Sequence, residues 1–422
     1  MVAGVAKMLP KGWRRVPLRE VAEVRTGVAK GKTNLRDPVE LPYLRVANVQ
    51  DGHLNLSEVK NILVERDQVS RYSLKVGDIL MTEGGDFDKL GRGDVWQGQI
   101  PVCLHQNHVF AVRPQKDRVD SRFLAALAAS QHGRNYFLGC AKRSTNLASI
   151  NSSQLKSFPV LMPSLPEQQR IAAALATWDE AIIAAENVLA NLRYQKVGLL
   201  RMLFKRRRNS DPADASWTYV DFDHVFERVT RKNVSGNTNV LTISGERGLI
   251  SQREYFNKSV ASANLAGYTL LLQGEFAYNK SYSAGYPMGA IKPLTLYDAG
   301  VVSSLYVCFR FRDGIKADRD FFRHYFEAGL LNDELTGIAQ EGARNHGLLN
   351  VGVGDFFKLR LHIPAVEEQR RIALVLNAAE SEESSISEQI RLLREEKQAL
   401  MQQILTGKRR VHLPEPAEPA SA

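Results

Sequence analysis

Two short segments have residue types that could do chemistry. Gly27-Val-Ala-Lys30-Gly31-Lys32-Thr33 looks like a loop that cradles phosphate between backbone amides and a lysine. That motif needs a glycine one position earlier, where Thr26 stands, so the loop is one residue short. It is still short and basic, and Lys30 and Lys32 are candidates for contact with a phosphate backbone. Asp51 with Glu58-Val-Lys60 is a loose version of a nuclease metal constellation, although Asp51-Gly52 reads more simply as a turn. No Gly-x-Gly-x-x-Gly follows a strand-like run, which leaves a dinucleotide-cofactor fold unsupported. No Asn-Pro-Pro-Tyr or Asp-Pro-Pro-Tyr element occurs, so an amino-methyltransferase centre is missing. The nine histidines are scattered, and Cys103, Cys140 and Cys308 have no short spacing, so no metal site is predicted. The expectation is a chain with no catalytic residues and no active site of its own.

What remains is a set of polar loops. They are Lys89 to Arg92, Lys142-Arg143-Ser-Thr145-Asn146, Asn279-Lys280-Ser-Tyr282-Ser283 and Arg344-Asn345-His346. Such side chains donate to phosphates and read base edges in the major groove. The candidate DNA-binding residues are therefore Lys30, Lys32, Lys89, Arg92, Lys142, Arg143, Thr145, Lys280, Tyr282, Arg344, Asn345 and His346. The plainer reading of each segment is a capped, solvated loop before a strand. The balance of 56 Lys and Arg against 46 Asp and Glu gives a net charge of +10, which favours a polyanionic partner. The 422 residues, 44% hydrophobic, suffice for two domains with real cores. The sparse cysteines fit a reducing cytoplasm, and Met1 to Pro10 is not a secretory signal. No apolar run approaches the roughly 20 residues of a membrane helix. The expected location is cytoplasmic.

The elements that must position these loops come in duplicate. Pro163-Ser-Leu-Pro-Glu-Gln-Gln-Arg-Ile-Ala172 matches Pro364-Ala-Val-Glu-Glu-Gln-Arg-Arg-Ile-Ala373 at an offset of 201. Trp13-x-x-Val16-x-Leu18-x-x-Val21 resembles Trp217-x-x-Val220-x-Phe222-x-x-Val225, and Gly77-Asp78-Ile79 resembles Gly274-Glu275-Phe276. Ordered matches at the start, middle and end of each half indicate a duplicated domain-plus-helix unit, related by a pseudo-two-fold axis.

After Pro163 the pattern turns helical, with Ser164 and Glu167 predicted to form a capping box. A heptad seam then runs Ile171, Leu175, Trp178, Ile182, Ala185, Leu189, Leu192, Lys196, Leu199 and Leu203. At the offset of 201 it recurs as Ile372, Leu376, Ala379, Glu383, Ile386, Ile390, Leu393, Lys397, Leu400 and Ile404. Each helix would be roughly 60 Å long. The economical partner for each is the other, antiparallel. Lys196 and Lys397 interrupt the seams at equivalent positions, either to set register, to face an acidic partner or to snorkel at the edge. The basic helix ends, Lys205 to Arg208 and Lys408 to Arg410, either complement the helix dipole or touch nucleic acid. The globular segments mix β-like runs with helices at Ser121 to Ser130 and Arg319 to Ala328, so each is expected to be α+β.

The two Glu-Gln-x-Arg-Ile elements opening the helices, the Trp13 and Trp217 starts and the Gly77 and Gly274 steps together resemble the specificity subunits of type I restriction–modification systems. That resemblance implies an α+β fold. Two target recognition domains are separated by two long antiparallel coiled-coil helices in a pseudo-two-fold internal repeat. The expected domains are 1–162 and 209–363 for recognition, 163–208 and 364–410 for spacer helices, and 411–422 as a disordered tail. The family function is non-catalytic reading of a bipartite asymmetric DNA site. The partners implied are double-stranded DNA, two methyltransferase subunits and restriction subunits. No cofactor is expected on this chain, with S-adenosylmethionine, ATP and magnesium used by the partner subunits. In the second element Ala365 replaces the capping Ser164, so that helix is expected to start less firmly. A targeting component of another multisubunit modification enzyme is the second reading, and an independent nuclease or ATPase the third.

Overall fold

The computed structural model of the chain describes residues 9–31, 34–85, 90–143, 148–204, 217–245, 247–256, 264–283, 285–341 and 349–411. Strands and helices are mixed throughout, which makes the chain α+β. It divides into two compact units, Met1–Glu186 with Glu388–Ala422, and Asn187–Ser387. Each unit therefore takes a share of both long helices.

The first unit is built on a four-stranded sheet ordered Ala22–Thr26, Val109–Pro114, Ile79–Thr82, Gly93–Val95. The second unit repeats that order with Phe226–Arg228, Val307–Phe311, Phe276–Asn279 and Ala290–Pro293. Both central strands are apolar on nearly every residue because helices cover one face and further strands the other. Trp13 immediately precedes, and Trp217 opens, a strand pairing antiparallel with the strand just before the long helix. These pairs are Arg14–Pro17 with Pro159–Met162, and Trp217–Asp221 with Arg360–Pro364. The first core is mainly aliphatic around Leu18, Ile79, Leu127 and Val160. The second is a cluster of rings, with Phe226 5.0 Å from Phe309 and 4.7 Å from Phe222.

The long helices are Leu165–Leu203 and Val366–Ile404, 39 residues each. Their seam residues are the ones turned from solvent. Ile171, Leu175, Ile182, Ile372, Leu376, Ile390 and Ile404 are buried, and Leu189, Leu192, Leu199, Leu203, Ile386, Leu393 and Leu400 are half-buried. In the first unit Ile171 and Leu175 share a core with Leu400, Ile404 and Leu405. In the second, Leu199 and Leu203 share one with Ile372 and Leu376. The two seam lysines are neutralised within their own units: Lys397 pairs with Asp179, and Lys196 with Glu380 at 3.7 Å and Glu383 at 3.2 Å. At the repeat offset Asp179 corresponds to Glu380, so the two pairs are equivalents under the internal repeat.

The helix starts differ from the expectation. Glu167 does not close a capping box with Ser164; its buried carboxylate accepts two bonds from Arg410, at 2.6 and 2.8 Å. The glutamine that follows does the holding. Gln168 Oε1 accepts from the Asp120 amide at 3.0 Å while its Nε2 donates to the carbonyls of Arg118 and Pro163, each at 3.1 Å. Gln369 repeats this with the Asp318 amide at 3.0 Å and the Pro364 carbonyl at 2.9 Å. Asp120 and Asp318 in turn cap the helices Ser121–Ala129 and Arg319–Glu327. Ala365 at the second start therefore removes nothing that the first start uses. Of the basic helix ends, Arg410 is committed to Glu167 and to the Lys11 carbonyl at 3.1 Å, and Lys205 to Arg208 lie outside the described residues.

Candidate nucleic-acid interface

Register places the candidate loops of the first unit at one end of its sheet. Thr26 pairs with Phe110, Thr82 with Val109 and Met81 with Gly93, so the chain leaves or enters four strands there. The loop after Thr26 is tied to the loop before Val109, with the Val28 amide 2.8 Å from the His105 carbonyl. A Cβ at Gly27 would lie 1.9 Å from that same carbonyl, so the glycine serves a close backbone approach rather than a phosphate. The small sheet Lys142–Arg143, Ala148–Ser149, Gly84–Gly85 hangs a basic hairpin on the same end. Lys30, Arg92 and Lys142 are thus gathered together. Lys30 is exposed with its Nζ 5.9 Å above the Tyr43 ring, and Lys142 is exposed. Arg92 is half-buried, and its Nε has no hydrogen-bond partner among the described residues. Arg143 lies in the hairpin strand, whereas Lys32, Lys89 and Thr145 lie outside the described residues.

The second unit repeats the plan. Arg228 pairs with Phe309, Tyr278 with Val307 and Asn279 with Ala290, which again collects the loop entries at one sheet end. The hairpin Gln340–Glu341 with Leu349–Asn350 joins it through the Leu349 amide, 3.0 Å from the Lys280 carbonyl. Lys280 is half-buried and Tyr282 is 59% exposed, which leaves an aromatic ring free to meet a base or sugar. Arg344, Asn345 and His346 lie outside the described residues, between the two strands of that hairpin. Arg247 sits exposed in the neighbouring turn, a residue the sequence reading passed over.

The other end of each sheet is rigid. Gly77 and Gly274 adopt φ of 95° and 86° before a buried carboxylate. Asp78 accepts two bonds of 2.7 Å from Arg113, and Glu275 two of 3.1 Å from Arg231. Charge-assisted bidentate pairs of this kind fix strand ends firmly. At the loop end, burial holds the His105 imidazole down at about 4, with Nδ1 2.7 Å from the Val109 carbonyl.

The catalytic fragments do not assemble. Asp51 pairs with Arg134 at 2.8 Å, and Glu58 faces Arg45 and Lys60. The cysteines are free thiols, and burial pushes Cys103 and Cys308 up to about 12, away from nucleophilic use. Among the described residues the one group that could reach a metal is Asp221, Asp223 and His224, all exposed. None of their helices is long and apolar enough to cross a membrane.

Residues 10–192 match the family model of the type I restriction modification DNA specificity domain. In that region the chain is similar to type I specificity subunits. It is 26% identical over 199 residues to a Methanocaldococcus jannaschii protein assigned as the MjaX type I restriction enzyme specificity subunit, covering 47% of each. It is 25% identical over 191 residues to the EcoKI specificity subunit of Escherichia coli, covering 44% of this chain and 40% of that one. The chain thus spans about half the length, or less, of the curated relatives it matches. A solved chain from work on complex assembly and conformational transition of the type I R-M system aligns over 94% of this chain and 98% of its own, with a TM-score of 0.58 at 17% identity. The type I S subunit of M. genitalium aligns over 95% and 98%, with a TM-score of 0.50 at 11% identity. At these identities the likeness shows a shared fold.

Proposed function

We propose that the chain is the DNA-reading subunit of a type I restriction–modification complex in the cytoplasm, with no active site of its own. The observation that carries this is the repeated sheet order with unlike basic loops gathered at the same end of both sheets. Residues 1–162 and 209–363 act as target recognition domains, each reading one half of a bipartite asymmetric site in double-stranded DNA. Residues 163–208 and 364–410 are antiparallel spacer helices about a pseudo-two-fold axis, a reading supported by the equivalent pairs Lys397–Asp179 and Lys196–Glu380. They fix the gap between half-sites and dock two methyltransferase subunits, with restriction subunits joining the full assembly. Linking two readers turns the second contact into an intramolecular event, which raises avidity without new contacts. The S-adenosylmethionine, ATP and magnesium chemistry resides on the partners. Lys30, Arg92, Lys142, Lys280 and Tyr282 then approach the DNA, together with Lys32, Lys89, Arg143, Thr145, Arg344, Asn345 and His346.

Mapping methylated adenines across the genome of cells that carry or lack this gene tests the reading. The expected result is a two-part site methylated only when the gene is present. An unchanged methylation map, or metal-dependent nicking by the purified chain alone, overturns it.

A further inference from the structure

Ten residues, 280–289, join the strands Phe276–Asn279 and Ala290–Pro293 at the loop end of the second unit's sheet. Tyr286 closes them: its carbonyl accepts from Ser283 and Gly289, each at 3.2 Å, and its amide donates to Ser283 at 2.9 Å. Gly289 has φ of 78°, and a Cβ there would lie 2.3 Å from the Asn279 carbonyl. The Tyr286 ring turns inward. Its hydroxyl donates to Glu327 at 2.6 Å and accepts from Lys292 Nζ at 2.9 Å. Lys292 is 8% exposed, and it also pairs with Glu327 and donates to the Gly245 carbonyl at 3.1 Å. All three ammonium protons are thereby satisfied.

A partly buried ion pair of this kind, shared with a tyrosine hydroxyl, adds little stability over apolar residues of the same volume. What it supplies is a single allowed geometry. It ties two loops, one bearing exposed Tyr282 and the other exposed Arg247, to the last turn of the helix Arg319–Glu327. The first turn of that helix is fixed by Asp318 to Gln369. We infer that Tyr286, Lys292 and Glu327 are positioning residues that hold the described residues of this loop, Tyr282 among them, in a base-reading arrangement. This rests on the DNA-reading proposal. The first unit has no counterpart among its described residues: the register position of Lys292 is held by Asp94, and the helix equivalent to Arg319–Glu327 ends in Ala129. The effect should therefore be confined to one half-site.

The test selects bound duplexes from a random-sequence library, using the full chain assembled with its methyltransferase subunits. Wild type, Tyr286→Phe, Lys292→Met and Tyr282→Ala are compared. Tyr286→Phe keeps the ring and removes one hydroxyl, so it decides the matter even if Lys292→Met fails to fold. Expected is a loss of discrimination of about tenfold at one half-site, shared by Tyr286→Phe and Tyr282→Ala, with the other half-site and the thermal midpoint unchanged. Unchanged discrimination in Tyr286→Phe, or equal loss at both half-sites, overturns the inference and leaves the DNA-reading proposal standing. A wild-type selection with no defined sequence overturns both.

Discussion

At the sheet end that carries Gly77 in the first unit and Gly274 in the second, the same chemistry occurs twice. A glycine with positive φ precedes a buried carboxylate gripped by an arginine, and an aspartate cap receives the side chain of a buried glutamine from a long helix. Elsewhere the units diverge. The first adds a three-stranded sheet, Lys60–Glu65, Pro38–Leu44, Leu104–His105, and sets Lys30 above Tyr43. The second adds two two-stranded sheets and the Tyr286–Lys292–Glu327 anchor. The contrast separates two tasks. Residues that fasten a helix are bound to a fixed geometry, whereas residues that face a ligand vary with the ligand.

If the fastening end is truly common, its loss must cost the same in both units. Gln168→Leu and Gln369→Leu each orphan a half-buried aspartate amide and at least one carbonyl, which should cost about 3 kcal/mol. The thermal midpoint should fall by roughly 6–12 °C in either variant. A large drop in one and none in the other would break the equivalence.

A smaller effect separates the units by pH. The folded His105 titrates near 4, below its ordinary 6.5, because burial disfavours the imidazolium. Above about 6.5 the group contributes no pH dependence. As pH falls from there toward 4 the unfolded chain takes up the proton first, so stability is lost, by up to about 3 kcal/mol. His105→Gln should flatten that slope in hydrogen exchange of the first unit. His324, also lowered, by burial and by Arg323, keeps the slope in the second.

Arg410→Ala strands the buried Glu167 carboxylate and should cost about 2 kcal/mol, the guanidinium being half exposed to screening water. The repeat equivalent of Glu167 is Glu368, which faces the exposed Arg371, and Arg371→Ala should leave the unfolding midpoint where it was. Smallest of all, Lys196→Ala and Lys397→Ala should each cost less than about 1 kcal/mol and shrink further in salt. Unequal losses from the two lysines would count against their being repeat partners.

The sequence made the frame readable where the signal was local. The heptad residues from Ile171 to Leu203 and Ile372 to Ile404 are spaced so that one face stays dry, and the Trp13 and Trp217 strands are marked by their own duplication. What was hidden depends on distant partners. Glu167 looked like a local cap, but its partner Arg410 is 243 positions away. Gln168 and Gln369 read only as motif letters because Asp120 and Asp318 are 48 and 51 residues upstream. Lys292 carried no signal in the sequence, because only the fold brings Glu327 and Tyr286 around it. The candidate loops were visible by composition, since exposed Lys30, Lys142 and Tyr282 need no partner to be noticed. Their gathering at one sheet end was not, because register is set by pairing between strands far apart in the chain.

The proposal that each unit reads its own half of a DNA site is open to one direct measurement. A chain in which residues 13–162 also replace 217–363 should, in complex with its methyltransferase subunits, select from a random duplex library an inverted repeat of the half-site read by the first unit. Recovery of the original asymmetric site from that chimera would contradict the assignment of one half-site to each unit.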